Sequence, residues 1–354
     1  MAYDLGNKLV VGISSRALFD LSLENEIFET QGVDAYCQYQ VEHENDLLKP
    51  GNGYPLVKAL LNINKLPGQE GRVEVIVMSH NSPDTSLRVF NAIEHYGLNI
   101  TRAVLASGAP LTPYLEAFKT DLYLSADEED VQGAINAGIA AGIICCDAIQ
   151  VPAESSDSTT TISRNGSGGT ATISQNGSDG TLTLSQNGSG GTLTLSQNGS
   201  GDGEFFKDIK QIRIAFDGDA VLFSDDSEMI YQKEGLEAFE ENERRLAKDP
   251  MKAGPFAKFL KTISDLQKEL PATEAPIRTA LVTARSAPAH ERVIRTLRAW
   301  GVRIDEAFFL GGVTKKDVLK AFGAHIFFDD QAVHTEPAST VVPSARVPYK
   351  KKDP

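Results

Sequence analysis

The sequence of 354 residues has few cysteines and no long apolar run, and each shortage excludes a class of protein. Its three cysteines, Cys37, Cys145 and Cys146, form neither a CxxC pair nor a disulfide framework, so we expect a reduced, cytoplasmic compartment. No stretch of about 18 apolar residues occurs, so a transmembrane helix is not predicted. Residues 1–8 lack the basic and apolar regions of a signal peptide.

Basic residues are also in deficit, because 34 lysines and arginines stand against 48 acidic residues and give a net charge of −14. Such a chain repels nucleic acids and anionic membrane surfaces, so neither is expected as a partner. An anionic substrate would need local positive charge or a metal ion. The six histidines are scattered without the spacing of zinc ligands, and no zinc site is predicted.

The chain resembles itself when it is shifted by about 204 residues. Residues 78–127 match residues 282–331 without a gap, and earlier segments match at a shift of 203. Identical pairs in this alignment include Gly32 and Gly235, Ser82 and Ser286, Arg88 and Arg292, Gly97 and Gly301, and Leu115 and Leu319. Agreement in order over so long a span indicates an internal duplication into two α/β units, residues 1–150 and 205–354.

Each unit has the same predicted plan: a strand, a mostly helical insertion, a second strand, a helix that ends at a glycine, and a final strand that ends the core. This alternation predicts a Rossmann-like parallel sheet with right-handed crossovers. The predicted strands are 8–13, 73–78 and 122–124 in the first unit and 211–216, 279–282 and 326–328 in the second. The helical insertions span about 23–65 and 226–270, and the two helices end at Gly97 and Gly301.

Residues 151–204 have no counterpart in the duplication and carry an 11-residue repeat. The repeats begin at Thr159, Thr170, Thr181 and Thr192, and each contains Asn-Gly-Ser. Alternating polar and apolar residues, followed by the turn-forming Asn-Gly, favour a small β-meander or β-solenoid that stacks Ile162, Ile173, Leu184 and Leu195. The Ser/Thr/Gly-rich composition fits a flexible spacer as well, so both interpretations stay open.

Candidate chemical groups gather at the strand ends of the second unit, the edge where parallel sheets bind ligands. They are Asp217 and Asp219 after the first strand, Thr283 after the second, Lys315 and Lys316 at the start of the next helix, and Asp329 and Asp330 after the last strand. Several acids together suit a hard cation such as Mg²⁺. A lysine and a hydroxyl suit the oxygens of a phosphoryl group, for which aspartate can act as a nucleophile.

The first unit carries different residues at the corresponding places. They are Ser14-Ser15-Arg16, Ser79 and Ser125-Ala126. Without the carboxylate cluster this unit is predicted to be inactive, with a docking or oligomerising role, and a homo-oligomer is left open.

This combination of Asp-x-Asp, a hydroxyl residue, a lysine and an acidic pair resembles the haloacid dehalogenase superfamily of phosphatases. The chain resembles most closely the cytosolic 5′-nucleotidase type I family. The resemblance rests on the motifs SSRALF (14–19), Ala35-Tyr36, FDGDAVLFSD (216–225), LVTARS (281–286) and HIFFDDQ (325–331). It covers nearly the whole chain except the repeat insertion.

The resemblance implies a Mg²⁺-dependent phosphatase that hydrolyses nucleoside 5′-monophosphates through an aspartyl-phosphate. It implies Asp217 as the nucleophile, Asp219 as the general acid and base, and Thr283, Ala284 and Lys315 as the residues that bind substrate phosphate. Mg²⁺ would bind Asp217, the main-chain carbonyl of Asp219, and Asp329, with Asp330 as an alternative. The family's lysine aligns with Lys315, while Lys316 beside it is the alternative.

Residues 226–270 would then form a cap over the site, and we expect Arg285 to pair with a neighbouring acid. No feature of the sequence identifies the base. A phosphatase or phosphotransferase for another small phosphomonoester, and a non-catalytic nucleotide-binding scaffold, are the remaining alternatives.

Overall fold

The computed structural model describes residues 4–144, 160–162, 171–175, 182–185, 211–268 and 275–348. The chain divides into two compact units. Met1–Ile149 together with Ile209–Pro354 forms the larger one, and Gln150–Asp208 forms the smaller one.

The first half of the larger unit alternates strands with helices. Its elements are β1 (Leu9–Ile13), α1 (Ser15–Leu18), α2 (Ser22–Gln31), α3 (Val33–Glu42), α4 (Tyr54–Ile63), β2 (Val73–Ser79), α5 (Leu87–His95), β3 (Arg102–Leu105), α6 (Thr112–Ala117), β4 (Leu122–Ser125), α7 (Glu128–Asn136) and β5 (Ala140–Ile144).

The described residues of the smaller unit form a three-stranded antiparallel sheet. Its strands are β6 (Thr160–Ile162), β7 (Ala171–Gln175) and β8 (Leu182–Ser185), in that order across the sheet. The Asn-Gly-Ser triplets of all four repeats and Leu195 lie outside the described residues, as do Cys145 and Cys146.

The second half of the larger unit repeats the alternation. Its elements are β9 (Ile212–Phe216), α8 (Asp226–Arg245), α9 (Ala257–Gln267), β10 (Ile277–Thr283), α10 (His290–Trp300), β11 (Glu306–Phe309), α11 (Lys315–Phe322), β12 (Ile326–Asp329), α12 (Ala332–Ser339) and β13 (Ser344–Arg346). A tight turn at Gly218–Leu222 follows β9, and Asp219 and Ala220 within it have non-helical backbone angles.

One ten-stranded sheet runs through both halves, in the order β11-β10-β9-β12-β13-β5-β4-β1-β2-β3. All neighbours pair parallel except β13 and β5, which pair antiparallel. The predicted α/β fold with a parallel sheet is therefore confirmed. The expectation that β4 and β12 end the core is wrong, because β5 and β13 follow them and join the halves. β3 and β11, at the outer edges of the sheet, were not predicted either.

The register shows where the two sets of strand ends lie. Asp329 at the end of β12 pairs with Arg346, Arg346 pairs with Ile143, and Ile143 pairs with Ser125 at the end of β4. Three strand spacings separate β12 from β4, which is about 14 Å. The carboxyl ends of β12 and β4 are thus aligned across the sheet, although the two strands run in opposite directions.

Glycines set corresponding breaks in both halves. Gly32 separates α2 from α3 with φ 87° and ψ 179°, and Gly235 breaks α8 with φ 84° and ψ −176°. Gly301 ends α10 in the left-handed conformation, with φ 61°, as predicted, and Gly97 has φ 62° beyond α5. These conformations strongly favour glycine. In the part of the chain that the structure describes, none of the helices has the length and apolar character that a membrane span requires.

Candidate active site

Asp217 follows β9 at the carboxyl edge of the sheet, and a tight turn follows it. Its backbone N–H donates a hydrogen bond of 2.8 Å to the carbonyl oxygen of Phe328, which continues the pairing of β9 with β12. A Cβ atom at Gly218 would lie 3.2 Å from Thr283 Oγ1, so a side chain here would crowd the threonine hydroxyl. Ala220 has a φ of 58°, a strained value for a residue with a side chain. The turn leaves Asp217 only 6% exposed.

The ammonium of Lys315 joins two carboxylates of different strands. Lys315 Nζ lies 2.8 Å from Asp217 Oδ1 and 2.6 Å from Asp329 Oδ2, and all three side chains are buried. Lys315 is the first residue of α11, as predicted, while Lys316 beside it is half-buried. Asp329 also accepts a hydrogen bond of 2.9 Å from the backbone N–H of Gln331, which fixes its carboxylate.

Asp330 completes a group of three buried carboxylates. Oxygen atoms of Asp217, Asp329 and Asp330 all lie within 4.8 Å of one another. Burial raises the pKa of Asp217 to about 7 and that of Asp329 to about 6, and Lys315 offsets this only in part. Burial lowers the pKa of Lys315, but the two carboxylates outweigh it and leave that pKa above its ordinary value. Negative charge is therefore in excess at this site.

Such a donor set fits a hard divalent cation. Oxygen ligands held close together are what Mg²⁺ and Ca²⁺ bind, and one ammonium opposes three carboxylates here. We conclude that these residues are suited to hold a cation of this kind.

Thr283 is the last residue of β10 and lies beside the turn after β9. It is 1% exposed, and its Oγ1 accepts the backbone N–H of Arg285 at 3.3 Å. Ala284, between them, is exposed. The sheet thus places a hydroxyl next to the turn that carries Asp217.

Asp219 is bound by Arg285 through two parallel hydrogen bonds. Arg285 Nε donates to Asp219 Oδ2 at 2.7 Å and Nη2 donates to Oδ1 at 2.6 Å. The carboxylate of Asp219 is nevertheless near enough to raise the pKa of Asp217 further. Arg285 therefore pairs with a neighbouring acid, as the sequence predicted, and that acid is Asp219.

Glu243 of α8 connects the same arginine to the helical insertion. Arg285 Nη1 donates to Glu243 Oε2 at 2.6 Å, and Arg292 Nη1 and Ser227 Oγ donate to Glu243 Oε1 at 2.9 and 2.8 Å. Burial raises the pKa of Glu243, but Arg285 and these hydrogen bonds outweigh it and lower the pKa below its ordinary value. A buried network thus runs from α8 to Asp219.

The family model described as 5′-nucleotidase matches residues 1–163 and 172–354 of this sequence. The chain belongs to the 5′-nucleotidase family. The family predicted from the sequence motifs is therefore confirmed.

A curated relative in this 5′-nucleotidase family is cytosolic 5′-nucleotidase 1B of Homo sapiens. It is 34% identical over 360 residues, which cover 98% of this chain and 50% of that protein. The chain therefore spans about half the length of this relative. The resemblance to the cytosolic type I 5′-nucleotidases is confirmed.

Among solved structures, a chain from "Structure of Pnkp1/Rnl/Hen1 complex" aligns with 99% of this 5′-nucleotidase family member and 100% of its own length. The identity is 10% and the TM-score 0.27, so this similarity supports no structural argument.

The sequence did not single out two residues of the charged network around Arg285, namely Glu243 and Arg292. Glu243 lies in a run of acidic and basic residues on α8, where nothing distinguishes it from Glu240 or Glu241. Arg292 appeared only as a match in the duplication. The burial that makes Glu243 important arises from tertiary packing, which a single helix pattern does not report.

Proposed function

We propose that this chain hydrolyses nucleoside 5′-monophosphates to nucleoside and phosphate, with Asp217 as the nucleophile. The observation that supports it best is the buried group in which Lys315 Nζ lies within 2.8 Å of both Asp217 and Asp329. An ammonium there holds the nucleophile in place and opposes the charge of an arriving phosphate.

In the first step, a carboxylate oxygen of Asp217 attacks phosphorus, and the bond from phosphorus to the 5′-oxygen breaks. Asp219 gives a proton to the 5′-oxygen as the nucleoside leaves. In the second step, a water molecule attacks the aspartyl-phosphate and gives its proton to Asp219. The bond from phosphorus to Asp217 then breaks, phosphate leaves, and both side chains return to their starting states. Thr283, Ala284 and Lys315 bind the phosphoryl oxygens throughout.

Arg285 bears on the proton transfers by Asp219. Its two hydrogen bonds occupy both carboxylate oxygens and fix the orientation of the group that takes a proton from water in the second step. To donate a proton in the first step, Asp219 must release one of these oxygens from Arg285. Arg285 is in this sense a positioning residue for the acid and base.

Mg²⁺ is the cation we propose, held by Asp217, Asp329 and the main-chain carbonyl of Asp219, with Asp330 as the alternative ligand. When bound, it would neutralise phosphoryl charge that Lys315 alone cannot offset.

We further propose that α8 and α9 form a cap that excludes bulk water from the reacting phosphorus. The contact of Glu243 with Arg285 supports this, because it ties α8 directly to the partner of Asp219. A cytoplasmic location is proposed from the scarcity of cysteine and from the cytosolic relative.

The experiment is a phosphate-release assay over nucleoside 5′-monophosphates and sugar phosphates, with Mg²⁺ or with a chelator. We expect release from nucleotides, dependent on the metal and lost in Asp217→Asn. The matched control is Asp317→Asn, which removes an exposed carboxylate near the start of α11. Equal release by wild type and Asp217→Asn would refute the nucleophile, and release from sugar phosphates alone would refute the substrate class.

A further inference from the structure

A cavity of about 590 Å³ opens at the strand ends of the first half, where the carboxylate cluster is missing. Its floor includes Ser15 and Ser79, whose hydroxyl oxygens are 3.2 Å apart, and Ser125. This volume is in the range of pockets that bind small organic molecules. From the residues of its wall, we propose that this cavity binds an uncharged nucleoside without a metal ion.

The space arises mainly from a short, neutral side chain, Asn81, at a position that carries an arginine in the second half. Asn81 corresponds to Arg285 at the shift of 204, and Tyr36 and Gln40 correspond to Phe239 and Glu243 at the shift of 203. In the second half the guanidinium of Arg285 lies 5.1 Å from the ring centre of Phe239. An asparagine does not extend as far, so the corresponding volume is open in the first half.

Gln40, Tyr36 and Asn81 form a chain of hydrogen bonds in which one donor, on Asn81, has no partner among the described residues. Gln40 Nε2 donates to the Tyr36 hydroxyl at 2.9 Å, and the Tyr36 hydroxyl donates to Asn81 Oδ1 at 2.9 Å. This order places the amide nitrogen of Asn81 on the other side, where it is buried and has no hydrogen-bond partner in the described structure. A buried donor without a partner is costly, and an acceptor on a bound base would satisfy it.

Two aromatic side chains form part of the same cavity wall. Phe28 and Tyr36 both line the cavity, with ring centres 5.9 Å apart and planes at 84°. Phe28 is 49% exposed, which is unfavourable for a large apolar side chain unless something covers it. A planar base fits against such rings, and stacking of this kind tolerates every base.

The charged residues that line the cavity favour a nucleoside over a nucleoside monophosphate as its ligand. Glu24 is paired with Arg88, and Asp130 lies 2.9 Å from His80 Nε2. The hydrogen bond to Asp130 raises the pKa of His80, which favours the imidazolium beside this carboxylate. Arg16 and Asp127 are the other charged residues of the lining, and they are opposite in sign. A phosphate dianion would thus add negative charge to a lining in which three acids, Glu24, Asp127 and Asp130, already outnumber the basic residues Arg16 and His80.

The hydroxyl groups of the floor suit ribose for the same reason. Serine can both donate and accept, as the hydroxyls of a sugar do, and no net charge is needed. The inference extends the proposed function, since a nucleoside is the product of that reaction. It does not depend on that reaction, because the ligand class follows from the cavity itself.

The test is equilibrium binding of adenosine, guanosine, cytidine and uridine, and of their 5′-monophosphates, to full-length Asp217→Asn protein in a chelator. We expect at least one nucleoside to bind more tightly than its own monophosphate. Phe28→Ala and Asn81→Ala should each weaken binding about tenfold, through lost stacking and a lost hydrogen bond. Tyr114→Ala, at an exposed tyrosine outside the cavity, is the matched control and should change binding by less than about twofold.

Two further variants keep the result interpretable. Asn81→Arg restores the second-half residue, so it should fill the cavity and abolish binding, with thermal unfolding measured to confirm that the variant folds. Asp127→Asn keeps a helix-capping side chain but removes one negative charge, so it should narrow the preference for nucleoside over monophosphate. Phosphate release by wild type in Mg²⁺ is recorded separately, so loss of that activity would leave the binding result intact.

Three outcomes would overturn the proposal. They are no binding by any nucleoside, tighter binding of every monophosphate than of its nucleoside, and loss of binding in Tyr231→Ala while Phe28→Ala binds normally. Tyr231 is the second-half residue that corresponds to Phe28 at the shift of 203. The last outcome would place the nucleoside in the second half.

Discussion

The two halves have the same strand order but carry different groups at their strand ends. In the second half Asp217 and Asp329 lie on either side of Lys315, whereas the first half has Ser14 and Ser125 at the corresponding places. The position of Lys315 is taken there by Leu111, which is buried. The lysine and the acids thus differ together, and this is expected on physical grounds, because a buried ammonium without carboxylates would be strongly unfavourable.

The layer around each site differs in the same sense. Arg88 and Arg292 correspond, but Arg88 pairs with Glu24 of α2 while Arg292 pairs with Glu243 of α8. In the first half, Gln40 occupies the position that corresponds to Glu243. Its side-chain amide nitrogen donates a hydrogen bond to the neutral hydroxyl of Tyr36. One arginine is therefore kept in both halves, while the acid that neutralises it has moved between helices. The charged network of the second half suits the proposed reaction on a phosphate, whereas the neutral residues of the first half suit the proposed binding of an uncharged nucleoside.

The largest expected effect concerns Lys315, which has no charged counterpart in the first half. Lys315→Met should lower kcat about a thousandfold, because both the placement of Asp217 and the charge opposed to phosphate are lost. Steady-state kinetics on a nucleoside monophosphate would measure this. Lys316→Met is the matched control and should stay within about threefold of wild type; the reverse order would assign the role to Lys316.

The next effect concerns the buried acid on α8. Glu243→Gln should lower the free energy of unfolding by about 3 kcal/mol, because Arg285 and Arg292 lose their shared carboxylate. Urea unfolding measures it, with Glu241→Gln on the exposed side of the same helix as the control. Equal stability of the two variants would show that the network is not important for folding.

A third effect distinguishes the halves by metal binding. Mg²⁺ at a hundred times its dissociation constant should raise the free energy of unfolding by about 2.7 kcal/mol. Asp329→Asn should lose this stabilisation, whereas Asp317→Asn should keep it. Thermal unfolding with and without Mg²⁺ measures the shift, and an undiminished shift in Asp329→Asn would move the cation elsewhere.

The smallest effect is a pH dependence confined to the first half. The pKa of His80 is raised by its hydrogen bond to Asp130, so the pair stabilises the fold fully below the ordinary histidine pKa. This contribution is lost as the pH rises through the raised pKa. Because His80 is partly exposed, we expect about 0.3 kcal/mol. Urea unfolding of wild type and His80→Gln at pH 5.5 and 8.5 tests it; an identical dependence in both proteins would assign the effect to other groups.

Local patterns predicted much of this fold and its site. The strands with strong apolar runs, β1, β2, β9 and β12, were predicted within two residues at each end. Gly301 at the end of α10 and Lys315 at the start of α11 were found as expected. The roles assigned to Asp217, Asp219, Thr283 and Lys315 remain predictions. These signals are reliable because each lies within a few neighbouring residues.

The rest depends on contacts between distant segments. β13 has only three residues, Ser344–Arg346, and its pairing with β5 has no local signature. Nothing in the sequence alone showed that the two sheets join. The bidentate hold of Arg285 on Asp219 was likewise predicted only as a pair with some acid, since the partner is set by the turn after β9.

The antiparallel joint between β5 and β13 has the geometry of a symmetric dimer interface. Arg346 lies beside Asp329 as Ile143 lies beside Ser125, so Arg346 and Ile143 are corresponding residues, and they pair with each other across the joint. Two copies of a single half, related by a two-fold axis, would meet through this strand in the same register. A half on its own would instead expose the strand as an open edge, which invites pairing with other chains. Joining both halves in one polypeptide therefore closes an edge that would otherwise favour aggregation, and it lets each copy diverge without disturbing a partner encoded by the same sequence.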